Sequence, residues 1–264
     1  MCLPISPTVH LVQLGRLCRL GVSDLAWVGP HHLAPLLRQL ASCAEAPLCL
    51  DLASCGGLSD AALRELVQAA AQRRGGGGGV CIRDLRLAGS GRYTPAALLE
   101  LAEAAVCGSS GGNGGSKLLL QGLEALDVSH VLCLGSKGGI GSTSGGDGSR
   151  AAAAAAQRAL AALLTAAGAS LRRLVLDGCC LAGGLLPLLA QRCPALERLS
   201  LVGVTGVGDA DLAALSTLRA LRDLVVGGAS LAWHERALTG KPAGRAAGML
   251  ADAAWGAPAV CDLR

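Results

Sequence analysis

Apolar side chains along this chain recur at two spacings that take turns. In Leu196-x-x-Leu199-x-Leu201 the last two leucines alternate with a polar residue, as a half-buried strand requires. Just before it, an apolar helix-like run from Leu188 ends in Cys193-Pro194, and proline cannot continue a helix interior. Just after it, Leu212 and Leu215 fall three apart, on one helical face. One segment therefore reads helix end, strand, turn and new helix.

The segment recurs. Leu50-x-Leu52-x-x-Cys55-x-x-Leu58 leads into Leu63-x-x-Leu66, and Ile82-x-x-Leu85-x-Leu87-x-x-Ser90-x-x-Tyr93 leads into Leu98-x-x-Leu101. Leu123-x-x-Leu126-x-Val128, Leu171-x-x-Leu174-x-Leu176-x-x-Cys179 and Leu221-x-x-Leu224-x-Val226 supply three further strands, and Leu17-x-x-Leu20-x-Val22 a first copy. Thr94-Pro95 makes a helix start, with Thr as N-cap and Pro at the first helical position. The anchor leucines 20, 50, 85, 126, 174, 199 and 224 are separated by 30, 35, 41, 48, 25 and 25 residues. A unit of about 25 residues with insertions explains the series, and that period belongs to leucine-rich repeats. The expected fold is an α/β leucine-rich-repeat solenoid: a horseshoe with a curved parallel sheet on its concave face and helices on its convex face.

Composition adds the insertions. With 38 Gly in 264 residues, low-complexity tracts stand at 75–79, 108–117 and 135–158, the last including an Ala run. They read as flexible loops between helix and strand. Residues 1–231 are then one repeat domain of about seven units, and 232–264 a C-terminal cap or tail. Trp233 and Trp255 lie in that segment; capping of the last apolar layer is the favoured role, a partner anchor the alternative. Val260-Cys261-Asp262-Leu263-Arg264 resembles the start of another strand. The chain is 52% hydrophobic yet 2% aromatic, with no Phe and one Tyr, so its core is Leu, Val, Ala and Cys in thin layers.

Charge and cysteines exclude more than they assert. A net charge of +4 without a dense Lys/Arg run gives no electrostatic footprint for nucleic acid. The 12 cysteines are scattered without a Cys-x-x-Cys pair, which suits small buried thiols in a reducing compartment. The most membrane-like segment, Ala159 to Ser170, is too short to span a bilayer, and the N-terminus reads as a poor secretory signal. No membrane association is expected, and the chain reads as cytoplasmic, nuclear or both.

The Cys55 and Cys179 positions and the Arg192-Cys193-Pro194-Ala195-Leu196-Glu197 junction carry a closer resemblance. Over residues 17 to 231 the pattern resembles the cysteine-containing leucine-rich repeats of F-box/leucine-rich-repeat proteins. Those proteins are substrate receptors of cullin-type ubiquitin ligases, and related mitotic-exit antagonists carry the repeats without an F-box. The resemblance implies a protein partner, with a ubiquitination substrate and a Skp-type adaptor as candidates. Two features depart from it. Ser90, Val204 and Ala229 replace the cysteine in three units, and Leu3-Pro4 is not followed by the helical module of an F-box. A scaffold or regulatory protein without ligase contacts is the alternative.

Function in such a fold is expected on the outward strand positions. The middle residues of each Leu-x-Leu are Gly21, Asp51, Arg86, Asp127, Val175, Ser200 and Val225; with His130, the last six form the candidate partner-binding surface. The residues after the first anchors, Arg83, Glu124, Arg172, Glu197 and Arg222, alternate in sign. They fit a solvated ion ladder better than a recognition stripe, and a phosphate-binding stripe would need one sign. Gly135–Gly141 places Lys137 before the final glycine, unlike a phosphate loop. His31-His32 lacks further ligands at helical spacing. No catalytic residue, cofactor or metal site is expected.

Overall fold

The computed structural model describes residues 18–24, 28–44, 47–72, 80–90, 93–106, 119–130, 146–181, 183–227 and 259–262. Strand and helix alternate through it. The strands are β1 (Arg19–Gly21), β2 (Leu48–Asp51), β3 (Ile82–Arg86), β4 (Ala125–Asp127), β5 (Arg173–Val175), β6 (Arg198–Val202) and β7 (Asp223–Gly227). The helices are α1 (Pro30–Cys43), α2 (Asp60–Gln72), α3 (Pro95–Val106), α4 (Gly146–Ala167), α5 (Leu185–Arg192) and α6 (Asp209–Leu215). The seven strands form one sheet in sequence order, all parallel. Each crossover moves the chain one strand along, the simplest α/β winding, and parallel crossovers share one hand. An eighth strand, β8 (Ala259–Asp262), runs antiparallel along β7. The segment read as the start of another repeat thus joins the sheet, but in the opposite direction.

The anchor leucines set the register. Leu20, Leu50, Leu85, Leu126, Leu174, Leu199 and Leu224 are consecutive partners across the sheet. Between Leu50 and Leu199 every one of them is 2% exposed or less. They share one hydrophobic cluster with helix residues such as Leu37, Leu66, Leu101, Leu163 and Leu189. The alternate strand residues, Asp51, Arg86, Asp127, Val175, Ser200 and Val225, lie outside that cluster. One sheet face is therefore packed on helices, and the other is open.

The insertion expected over 135–158 is corrected in part. Residues 146–158 belong to α4, which runs for 22 residues. Alanine is the best helix former, and Ala156, Ala159, Leu160, Leu163 and Leu164 bury a face of this helix against the core. Residues 75–79, 108–117 and 135–145 lie outside the described residues, as do Trp233 and Trp255. Helix α3 begins at Pro95, as its sequence suggests. The Thr94 hydroxyl, however, donates to Asp60 at 2.8 Å, and its N–H donates to the same carboxylate at 2.6 Å, tying the start of α3 to the start of α2.

Backbone pairing continues past the strands into the turns. The N–H groups of Asp24, Ser54, Gly89, His130, Gly178 and Gly203 each donate to the carbonyl of the next coil, at 2.6–3.0 Å. All six residues stand four after their anchor leucine, and all six have φ between +51° and +66°. Three are glycine, for which this conformation costs nothing; Asp24, Ser54 and His130 adopt it against their side chains.

The residues after Gly89 and Gly178 show how serine and cysteine serve the same place. The Cys179 thiol donates to the carbonyl of Val128 in the preceding coil at 3.4 Å. Ser90, 3% exposed, occupies the equivalent place. Its hydroxyl donates to Leu52 O at 2.8 Å and accepts from Cys55 N–H at 3.1 Å. A small side chain with one proton to give ties coil to coil where no strand bond reaches. Ser90→Val is therefore expected to cost about 1–2 kcal/mol, because the Leu52 carbonyl loses a buried partner. Ser90→Cys keeps a donor and should lose less than half as much. Urea unfolding of the two variants checks this; equal losses would remove the hydrogen bond as the cause.

Cys18, Cys43, Cys49, Cys55, Cys81, Cys179, Cys180 and Cys193 are free. Burial pushes the Cys193 thiol up to about 12. No helix among the described residues is long and apolar enough to cross a membrane.

Candidate functional site

The open sheet face carries two columns of side chains. The central column is Gly21, Asp51, Arg86, Asp127, Val175, Ser200 and Val225, each paired in register with the next. The sequence-derived surface is thus brought together, apart from His130. That residue sits in the turn after β4 at φ +60°, exposed, and its ring lies where a Cβ on Gly178 would stand. A side chain at Gly178 would require the exposed His130 ring to turn away.

A second column escaped the sequence reading. Arg19, Cys49, Asp84, Ala125, Arg173, Arg198 and Asp223 are also consecutive register partners, each immediately before its anchor leucine. Side chains on a strand alternate, so the residues on both sides of an anchor share the face opposite to it. That rule applied to Leu85 or Leu174 would have found the column.

The two halves of the face differ chemically. In the first half, charges meet. Arg86 reaches Asp51 at 3.6 Å and Asp84 at 3.9 Å. Asp127 accepts from the Ser129 N–H at 3.0 Å and its hydroxyl at 2.6 Å, closing the turn beneath. Arg19, Asp51, Asp84 and Arg86 line a hollow of about 150 Å³. In the second half the central column is small, Val175, Ser200 and Val225, and the hollow there reaches about 370 Å³. The Ser200 hydroxyl donates to Asp177 at 2.7 Å, and the Val202 N–H donates to the same oxygen at 2.9 Å.

The ion ladder forms in part. Arg83 pairs with Glu124 at 3.0 Å and Arg172 with Glu197 at 2.6 Å. The Glu124 carboxylate, by hydrogen bond and charge, holds the Arg83 guanidinium above its ordinary pKa. Arg172 turns its guanidinium to Glu197, so the Glu124–Arg172 rung is not closed among the described residues. In the second column Arg198 pairs with Asp223 at 2.9 Å. These pairs are exposed and contribute little to stability.

Among the described residues no three His, Cys, Asp or Glu side chains gather to hold a metal ion. His31 and His32 stand exposed at the start of α1, their ring centroids 3.9 Å apart, and His32 Nδ1 accepts from the Gly29 N–H at 3.4 Å. Gly135–Gly141 lies outside the described residues. No protein-family model matches the chain, and no curated protein is significantly similar to it.

Proposed function

We propose that the chain is a leucine-rich-repeat protein whose open, concave sheet face binds a protein partner, and that it acts by recognition rather than catalysis. The observation that carries this reading is the alignment of Asp51, Arg86, Asp127, Val175, Ser200 and Val225 as one register-locked column outside the core. A rigid sheet presents these side chains at fixed separation, so a partner meets a preorganised surface. Parallel strands that step along in sequence order, the last three anchors 25 residues apart, support the repeat assignment. The resemblance of the cysteine-containing coils extends the reading to substrate selection for a cullin-type ubiquitin ligase, with a Skp-type adaptor as second partner.

Affinity purification from native cells with quantitative mass spectrometry tests both layers, beside the double variant Arg86→Asp/Asp127→Arg. These register neighbours exchange sign, so net charge is unchanged. Loss of most partners from the variant is expected, with adaptor and cullin subunits among the proteins recovered by the unaltered chain. Partners lost without any ligase subunit recovered would leave a scaffold. Full retention of every partner would exclude this face.

A further inference from the structure

We infer that the second half of the open face is a docking site for an extended acidic peptide segment, with a Glu or Asp carboxylate seated at Arg173 and Arg198 and small apolar side chains on Val175 and Val225. The inference rests on the reading of this face as a binding surface and names the chemistry of its partner.

Charge carries the argument. Arg173 and Arg198 are direct register partners on neighbouring strands, which stand about 4.8 Å apart. Like charges so placed repel each other. Asp223 neutralises Arg198 at 2.9 Å, but Arg173 has no ion pair among the described residues and is exposed. A carboxylate can engage a guanidinium through two parallel N–H bonds, and an anion between two arginines lowers their mutual repulsion.

Shape selects a peptide over a free anion. Beside the arginines the hollow of about 370 Å³ has Val175 and Val225 on its floor, both half-buried, with Ser200 between them. In the first half the equivalent positions hold Asp51, Arg86 and Asp127: Arg86 pairs with Asp51, and Asp127 accepts from Ser129. The small residues leave more room in the second half, about 370 Å³ against about 150 Å³ in the first. A strand-like segment alternates its side chains, so a carboxylate and an apolar group two residues on reach the same floor.

The test is fluorescence anisotropy of the whole chain with a fluorescein-labelled peptide, Gly-Ser-Val-Glu-Val-Glu-Val-Ser-Gly, against versions with Gln, Lys or phosphoserine in place of Glu. The Glu peptide is expected to bind at least about tenfold tighter than the Gln peptide, and the Lys peptide not at all. Arg173→Glu should abolish the preference for Glu. Val225→Trp, which fills the hollow without changing charge, should weaken both peptides. Circular dichroism verifies folding, and Arg173→Ala serves as the milder variant. Equal binding of Glu and Gln peptides, or none of either, overturns the inference. Phosphoserine binding tenfold tighter than Glu overturns the carboxylate assignment. Purification separates the two readings. Cellular partners lost in Val225→Trp but kept in Arg173→Glu leave the face a binding surface and remove its acidic ligand; partners kept in both remove the face altogether.

Discussion

Leu85→Ala is expected to lower the free energy of unfolding by about 2–5 kcal/mol, the range for leucine truncation in a core that cannot collapse. Leu85 is fully buried, its register partners are Leu50 and Leu126, and it stands midway along the stack. The three residues lie on adjacent strands within one continuous hydrophobic cluster. The same change at Leu224 should cost less than half as much, since that leucine is only partly buried at the end of the parallel column. Urea unfolding measures both. The expected result is a lower midpoint for Leu85→Ala at unchanged slope, because the surface exposed on unfolding is the same. A loss below 1 kcal/mol at Leu85 would mean that the anchor column is not the continuous core described.

Gly168→Ala is expected to destabilise by about 1–3 kcal/mol, the cost of forcing atoms into a filled space. The sign is the informative part. Replacing glycine by alanine where the backbone permits it usually stabilises, through the unfolded chain. Gly168 follows the last residue of α4, and its N–H donates to Leu164 O at 2.9 Å. A Cβ there would stand against that same oxygen and only 2.5 Å from the carbonyl oxygen of Arg192, the last residue of α5. Both obstacles are backbone, so no side chain can swing away. The two helices would have to part where adjacent coils touch. Unchanged or raised stability in the same urea measurement would show that the coils separate at no cost.

How far the sequence reads through to these contacts depends on periodicity. The anchor leucines were legible because a two-residue alternation and a 25-residue repeat both mark them, and their register follows at once. Helix α4 was obscured because alanine carries a weak apolar signal, and the glycines before it suggested loop; its helix forms on intrinsic propensity and on the burial of Leu160, Leu163 and Leu164. The central column of the open face was found from its position between leucines. The Arg173–Arg198 column needed the further step of counting backwards from the anchor. The left-handed turn residues are marked unevenly: Gly89, Gly178 and Gly203 betray the position, Asp24 and His130 belong to types that tolerate positive φ, and Ser54 carries no such mark. Ser90 looks like a lost cysteine because sequence shows identity, whereas its hydroxyl makes the same donation to the preceding coil as the Cys179 thiol; the side chain of Val204, buried at the equivalent place, makes no such donation.

The antiparallel β8 bears on how separate molecules meet. A parallel sheet edge offers slanted, evenly spaced hydrogen bonds, so a strand from a neighbouring molecule could add to it and start a chain of subunits. With β8 in place, the edge of β7 from Asp223 to Val226 is already engaged, so a strand from another copy cannot add to it without displacing β8. A neighbouring molecule meets β8 at this edge, and not the last of the parallel strands.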